Sequence, residues 1–187
     1  MYHLITTYSG NSFDYTFLNL GSAGYGIKPD KGGTTDSLTG ITTLKFDNKS
    51  LDVNNDIKET FDQVTGLNTD SGEMFRLYNA AFARFPDADG LRYWINQFSS
   101  GKNTRRVVAQ SFLVSEEFTQ KYGSNVTHEM YVNNLYKNVL GRDADSEGLN
   151  YWVGNLENGI ETRYEALLGF AESAENKALF TSMTGFD

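Results

Sequence analysis

The sequence predicts an α+β protein in which a mainly α-helical tandem-repeat domain follows a small antiparallel β-rich segment. Three observations carry this. Residues 1–56 alternate apolar and polar side chains in short pieces broken by Gly and Asn, whereas residues 57–187 space apolar side chains three and four apart. The stretch "RFPDADGLRYW" from Arg84 returns as "RDADSEGLNYW" from Arg142, an offset of 58 residues. With 187 residues, 39% hydrophobic and 14% aromatic, the chain carries enough apolar surface to bury a real core.

Within residues 1–56, "YHLITTY", "FDYTFLNL" and "TTLKFDNKSLDV" read as strands. "ITTLKFDNKSLDV" predicts a hairpin, with Leu44 and Phe46 on one face, "DNKS" as the turn, and Leu51 and Val53 on the return. So thin a sheet is marginal by itself and is expected to pack on the helical residues after it. "GSAGYG" (Gly21 to Gly26) is glycine-rich, but no helix comes after it to hold a phosphate, and it reads as a loop.

From residue 57 the period becomes helical. "SGEMFRLYNAAFARF" puts Met74, Leu77, Tyr78, Ala81, Phe82 and Phe85 on one face. "RRVVAQSFLV" and "HEMYVNNLYKNVL" show the same spacing, with Ser71, Thr104, Ser115 and Thr127 as expected N-caps and Gly101, Gly123 and Gly159 at helix ends. At the offset of 58, Leu77-Tyr78 match Leu135-Tyr136, Thr104-Arg105 match Thr162-Arg163, and Phe112, Ser115 and Glu117 match Phe170, Ser173 and Glu175. Two units of four helices, about 72–129 and 130–187, are expected to share one core.

Charge and composition exclude several functions. The net charge of −8 argues against nucleic acid as a partner, since phosphate binding needs a basic surface. Without cysteine there is no disulfide, thiolate metal site or cysteine nucleophile. His3 and His128 form no HExxH pair, and no apolar run reaches the roughly 18–20 residues of a membrane span. The N-terminus "MYHLITTYSG" has no secretory signal pattern. No GxSxG, P-loop or GxGxxG signature is present, and no catalytic residue is assigned.

The repeated stretch supplies the candidate site: Arg84, Asp87, Tyr93, Trp94 and their counterparts Arg142, Asp145, Tyr151, Trp152. On a structural reading, Asp87 and Asp145 cap helices, Arg84 and Arg142 end the preceding helices within reach of a carboxylate, and Tyr-Trp anchors the next helix in the core. On a ligand reading, Asp87, Asp89, Asp143, Asp145 and Glu147 alternate as calcium ligands do, though without the twelve-residue loop of an EF-hand. The Asp- and Asn-rich stretches "KPDKGGTTD" and "FDNKSLDVNND" are further calcium candidates. Tyr93, Trp94, Tyr151 and Trp152 beside carboxylates would also suit a carbohydrate-binding or carbohydrate-acting site.

"LYNAAFARFPDADGLRYWINQFSSG…VAQSFLVSEEF" and "LYKNVLGRDADSEGLNYWVGNLENG…FAESAEN" resemble a bacterial domain of unknown function, family 4214, over about residues 72–180. The family pattern is LY…LGRxPDxxGLxYWxxxLxxG…FxxSxEF, and it is distantly similar to the helical phycobilisome linker domain. The resemblance implies a helical module near the C-terminus of exported proteins of the RTX and haemolysin type, extracellular or at the cell surface. It implies no enzymatic activity, and protein or surface polysaccharide as partner. The tail "NKALFTSMTGFD" resembles the C-terminal signal read by type I exporters. A phycobilisome-linker-like intracellular docking protein is the alternative implied. The second unit departs from the pattern, with "RDAD" for "RxPD" and with Asn176 in place of the aromatic at Phe118. It is therefore expected to end differently, packing on the N-terminal sheet.

Overall fold

The computed structural model describes residues 4–187, so His3 lies outside the described residues. Strands β1 (Ile5–Thr7), β5 (Thr43–Lys45) and β6 (Ser50–Asp52) form one three-stranded sheet, and β2 (Tyr15–Asn19), β3 (Tyr25–Pro29) and β4 (Asp36–Ser37) form another. The expected hairpin is β5–β6, in antiparallel register with Leu44 opposite Leu51. Leu44, Phe46, Leu51 and Val53 are all buried. One strand departs from the antiparallel expectation: β1 runs parallel to β5, with Ile5 opposite Thr43. "GSAGYG" is divided in use. Gly21–Ala23 make a 3-10 turn, and Tyr25 and Gly26 open β3.

A π-helical turn, Val53–Lys58, leads into the short α1 (Glu59–Asp62). Asp52 caps it by accepting from the backbone N–H groups of Asn54 and Asn55. The helical repeat begins with α2 (Asp70–Phe82), α3 (Ala88–Ser99), α4 (Arg105–Leu113) and α5 (Glu116–Tyr122). Their counterparts are α6 (His128–Leu140), α7 (Ser146–Glu157), α8 (Arg163–Ala171) and α9 (Ala174–Thr184). No helix among the described residues is long and apolar enough to cross a membrane.

Thr104, Ser115 and Thr127 cap α4, α5 and α6 as expected. The cap of α2 is Thr69, not Ser71: Thr69 has the extended backbone of an N-cap and accepts from Gly72 N–H. Ser71 lies inside the helix and accepts from Thr65 N–H. Thr69 and Thr127 stand 58 residues apart, so the repeat reaches further upstream than the sequence matches indicate.

The two units pack α4 on α8 and α2 on α6. Arg106 donates through Nη2 to the hydroxyl of Tyr164 at 2.9 Å, and these two positions are counterparts in the repeat. A position that meets its own counterpart marks an approximate two-fold relation between the units, as at an isologous interface. The relation is imperfect, because Arg76 on α2 pairs with Glu172 beyond α8 with no equivalent pair in the other direction among the described residues.

Two hydrophobic clusters fill the molecule. One gathers Phe17, Ile27, Leu38, Leu44, Ile57 and Phe61 under the sheets. The other runs through α2 to α9. Ile57 and Phe61 belong to the sheet cluster, so packing does not divide at residue 56 as the change of grammar suggests. Phe85 joins the clusters, lying 5.1 Å from Phe17, 5.0 Å from Phe61 and 5.8 Å from Phe75 between ring centroids. The second unit also reaches the sheet as expected, with α9 packed along β2.

Ala83 ends α2 in the left-handed conformation (φ 47°), where the second unit has Gly141 (φ 67°). A Cβ is strained there. Ala83→Gly is expected to stabilise the fold by about 1 kcal/mol, measured as a rise in the urea midpoint at unchanged m.

Candidate functional site

The two copies of the motif build the same clamp. Arg84 leaves the C-terminal end of α2 and grips Glu117 on α5 with two bonds, Nε–Oε1 at 2.6 Å and Nη2–Oε2 at 3.1 Å. Arg142 grips Glu175 on α9 in the same way, at 2.8 and 2.9 Å. Each guanidinium also lies against the tyrosine of the "LY" pair, 5.4 Å above Tyr78 and 5.0 Å above Tyr136. Bidentate pairing fixes direction as well as distance, so the turn after α2 or α6 is tied to the last helix of its own unit.

The glycine of "GL" is set by the same tyrosine. A Cβ on Gly90 would come within 2.8 Å of the Tyr78 hydroxyl, and one on Gly148 within 2.1 Å of the Tyr136 hydroxyl. Leu91, fully buried, then anchors α3.

The aspartates differ between copies. Asp145 caps α7 through its carboxylate, accepting from Gly148 N–H at 2.8 Å. Asp87 occupies the N-cap position of α3 but makes no side-chain cap bond. Its carboxylate turns instead to the Tyr78 hydroxyl at 3.1 Å and to Arg84 at 2.8 Å, with Lys49 of the hairpin turn 3.9 Å away. The cap reading therefore holds for Asp145 only. In the second copy the arginine stands further off, Arg142 being 3.6 Å from Asp145.

Trp94 and Trp152 are half-buried rather than fully in the core, and pack on Phe112 and Phe170, each at 5.1 Å. Tyr93 and Tyr151 project outward at 53% and 59% exposure, each edge-on to its neighbouring tryptophan.

The carboxylates read as calcium ligands are not brought together. Asp89 pairs with Arg92 at 2.7 Å, Asp143 with Lys137 at 3.6 Å, and Glu147 is exposed in the first turn of α7. Among the described residues no three His, Cys, Asp or Glu side chains gather as they would around a metal ion. In the N-terminal stretches, Asp47 accepts from Gly10 N–H and Asp56 from Asp52 N–H, so both serve the backbone.

Electrostatics reflect the clamp. Burial opposes the charge on Arg84, but the bonds it donates to Glu117 and the nearby Asp87 outweigh that and hold the guanidinium protonated. Burial pushes the Tyr78 hydroxyl up to about 12, well outside acid–base work at neutral pH. The Gly148 N–H holds Asp145 below its usual range, and the Arg142 bond does the same for Glu175. A depressed folded value means stability that is present above the unfolded carboxylate range and lost as pH falls through the folded value. Glu175→Gln is accordingly expected to lower the melting temperature at neutral pH, and the gap from the parent should close in acid.

A family model described as Domain of unknown function (DUF4214) matches residues 58–113 and 109–180, more than half of the chain. The chain belongs to the DUF4214 family. No curated protein and no solved structure matches it. Its first DUF4214 match begins at Lys58, inside the π-helical turn, and so takes in α1.

The sequence of this DUF4214 chain does not by itself name the arginine's partner, but it carries a signal for it. Glu117 and Glu175 match at the repeat offset, and each lies 33 residues beyond its arginine. The Arg76–Glu172 pair carries no such signal, because it occurs once.

Proposed function

We propose that this DUF4214 chain is a non-enzymatic interaction module, exported to the cell surface or medium as part of an RTX-like system. The observation that carries this reading is the division of labour within the motif. Arginine, aspartate, glycine and leucine are engaged in holding helices together, while Tyr93 and Tyr151 stand outward at equivalent positions on α3 and α7. Exposed tyrosine is a preferred contact residue, offering large rigid area at small entropic cost. Export rests on analogy with the family's usual setting and on the type I-like composition of the last residues. In the fold that tail as far as Thr184 belongs to α9, with Phe180 buried, so an exporter would have to engage it before folding completes.

Replacing Tyr93 and Tyr151 together by Ser is expected to abolish attachment of the purified chain to its own cells or matrix, at unchanged melting temperature. Attachment equal to the parent would contradict the reading. Accumulation in the medium on co-expression with a type I exporter tests the localisation, and retention inside the cell would count against it. The half-buried tryptophans with exposed tyrosines edge-on also support a second reading, a sugar-stacking surface. Co-sedimentation with insoluble polysaccharide, lost in the same double variant, would select it.

A further inference from the structure

A cleft lies beside Asn176, where the second unit departs from the first. The counterpart of Asn176 in the first unit, Phe118, is buried and stacked on Tyr122 with centroids 4.2 Å apart. Asn176 is smaller, is buried, and turns its amide to the Ala171 carbonyl at 2.8 Å. The helix it begins, α9, is also longer than α5 and runs along β2. Between the sheet, α6 and α9 lies a cleft of about 430 Å³, lined in part by Asn176. That is within the size range of small-molecule sites.

Its walls have two chemistries. Leu18 of β2, Leu140 of α6, and Leu179 and Met183, one turn apart on α9, together with the rings of Phe13, Phe17 and Phe180, give it an apolar body. Lys28 and Lys31 line it from the sheet side; both are exposed, and neither forms an ion pair among the described residues. Lys137 lines it from α6, already 3.6 Å from Asp143. Asp30 is the carboxylate on this lining, and it accepts a 2.6 Å bond from Thr16. Cations outnumber carboxylates here, on a chain whose net charge is −8. An apolar body with unpaired cations at an exposed edge complements a ligand with a tail and a single negative head. Aromatic rings, Phe13, Phe17 and Phe180 among them, also line the cleft, so a sugar acid is the competing ligand that the test must separate from an aliphatic one.

We propose that the cleft between β2 and α9 binds an aliphatic carboxylate, its tail among Leu18, Leu140, Leu179 and Met183 and its head toward Lys28 and Lys31. This site is separate from the exposed tyrosines and does not depend on their role. Calorimetric titration of the intact chain with decanoate, kept below its micellar concentration, tests it, with decanol and glucuronate in parallel. Saturable one-to-one binding of decanoate is expected, at least tenfold tighter than decanol. Lys28→Gln combined with Lys31→Gln should weaken it at least tenfold at unchanged melting temperature, since both side chains are exposed. Leu179→Glu, also at an exposed position, should abolish it by placing a charge against the apolar tail and a like charge near the head. No saturable binding of decanoate, decanol binding equal to decanoate, indifference to the lysine substitutions, or glucuronate binding in its place would each overturn the proposal.

Discussion

Glu172→Ala is expected to lower the unfolding free energy by about 3–5 kcal/mol, because it strands a buried cation. Arg76 is 2% exposed. Its Nε and Nη2 donate to the two Glu172 oxygens at 2.9 Å each, its Nη1 donates to the Leu67 carbonyl, and its guanidinium lies 4.9 Å from the Phe180 ring centroid. Removing the carboxylate leaves this buried charge, at the edge of a cleft, with one backbone acceptor, a ring face and the influence of Glu73, which is itself paired with Arg105. Desolvation offsets much of the attraction within the intact pair, so the pair stabilises little relative to an apolar replacement. Arg76→Met combined with Glu172→Leu should therefore recover most of the loss. Urea unfolding of the two variants checks both statements, and a double variant as damaged as the single one would mean the residues act through something other than charge.

Phe75→Ala is expected to cost a similar amount, about 3–5 kcal/mol, and to do so across the whole molecule. Phe75 is 1% exposed and has Phe61 at 6.3 Å, Phe85 at 5.8 Å and Phe180 at 5.6 Å between ring centroids. Those rings belong to the sheet cluster, to the turn that joins the clusters, and to α9. A cavity at their meeting point weakens the attachment of the sheet to both helical units at once. The parent should unfold in a single transition, monitored by far-UV and near-UV signals together. The variant should unfold earlier, with the near-UV signal of the aromatic cluster leading.

Local patterns in the sequence are sufficient for the elements and for the repeat. Alternation locates the β5–β6 hairpin and its buried face, because register in a half-buried pair is set by the apolar residues. Helical spacing locates α2 and α6, and hydroxyl residues before apolar runs locate three caps. What local pattern does not supply is pairing between distant segments. The parallel β1–β5 pair joins residues nearly forty apart, and Arg76–Glu172 joins residues 96 apart without a second copy to reveal it. Thr69 escapes notice as a cap because Ser71, two residues later, satisfies the same preference. Only the extended backbone at Thr69 distinguishes them. Asp87 looks like Asp145 because the sequence does not reveal that its carboxylate turns to Arg84 and Tyr78 rather than to the helix start.

The candidate site is half legible for a related reason. Repetition marks Arg84, Gly90 and Trp94 as a set, but a repeat says only that a geometry is used twice. The purpose of the glycine emerges only when the tyrosine hydroxyl is found above it. The carboxylates look like ligands because alternation along the chain resembles a binding loop. In the fold, helix starts and nearby cations separate them.

The doubled motif is above all an interhelical clamp, and a double-mutant cycle on its better-buried copy tests that most directly. Arg84→Met, Glu117→Gln and the combination would be compared by urea unfolding. With Glu117 partly exposed, a coupling of about 0.5–1 kcal/mol is expected, with either single substitution removing nearly all that the pair contributes. Strict additivity of the two substitutions would contradict the clamp and leave the arginine as a residue awaiting a ligand.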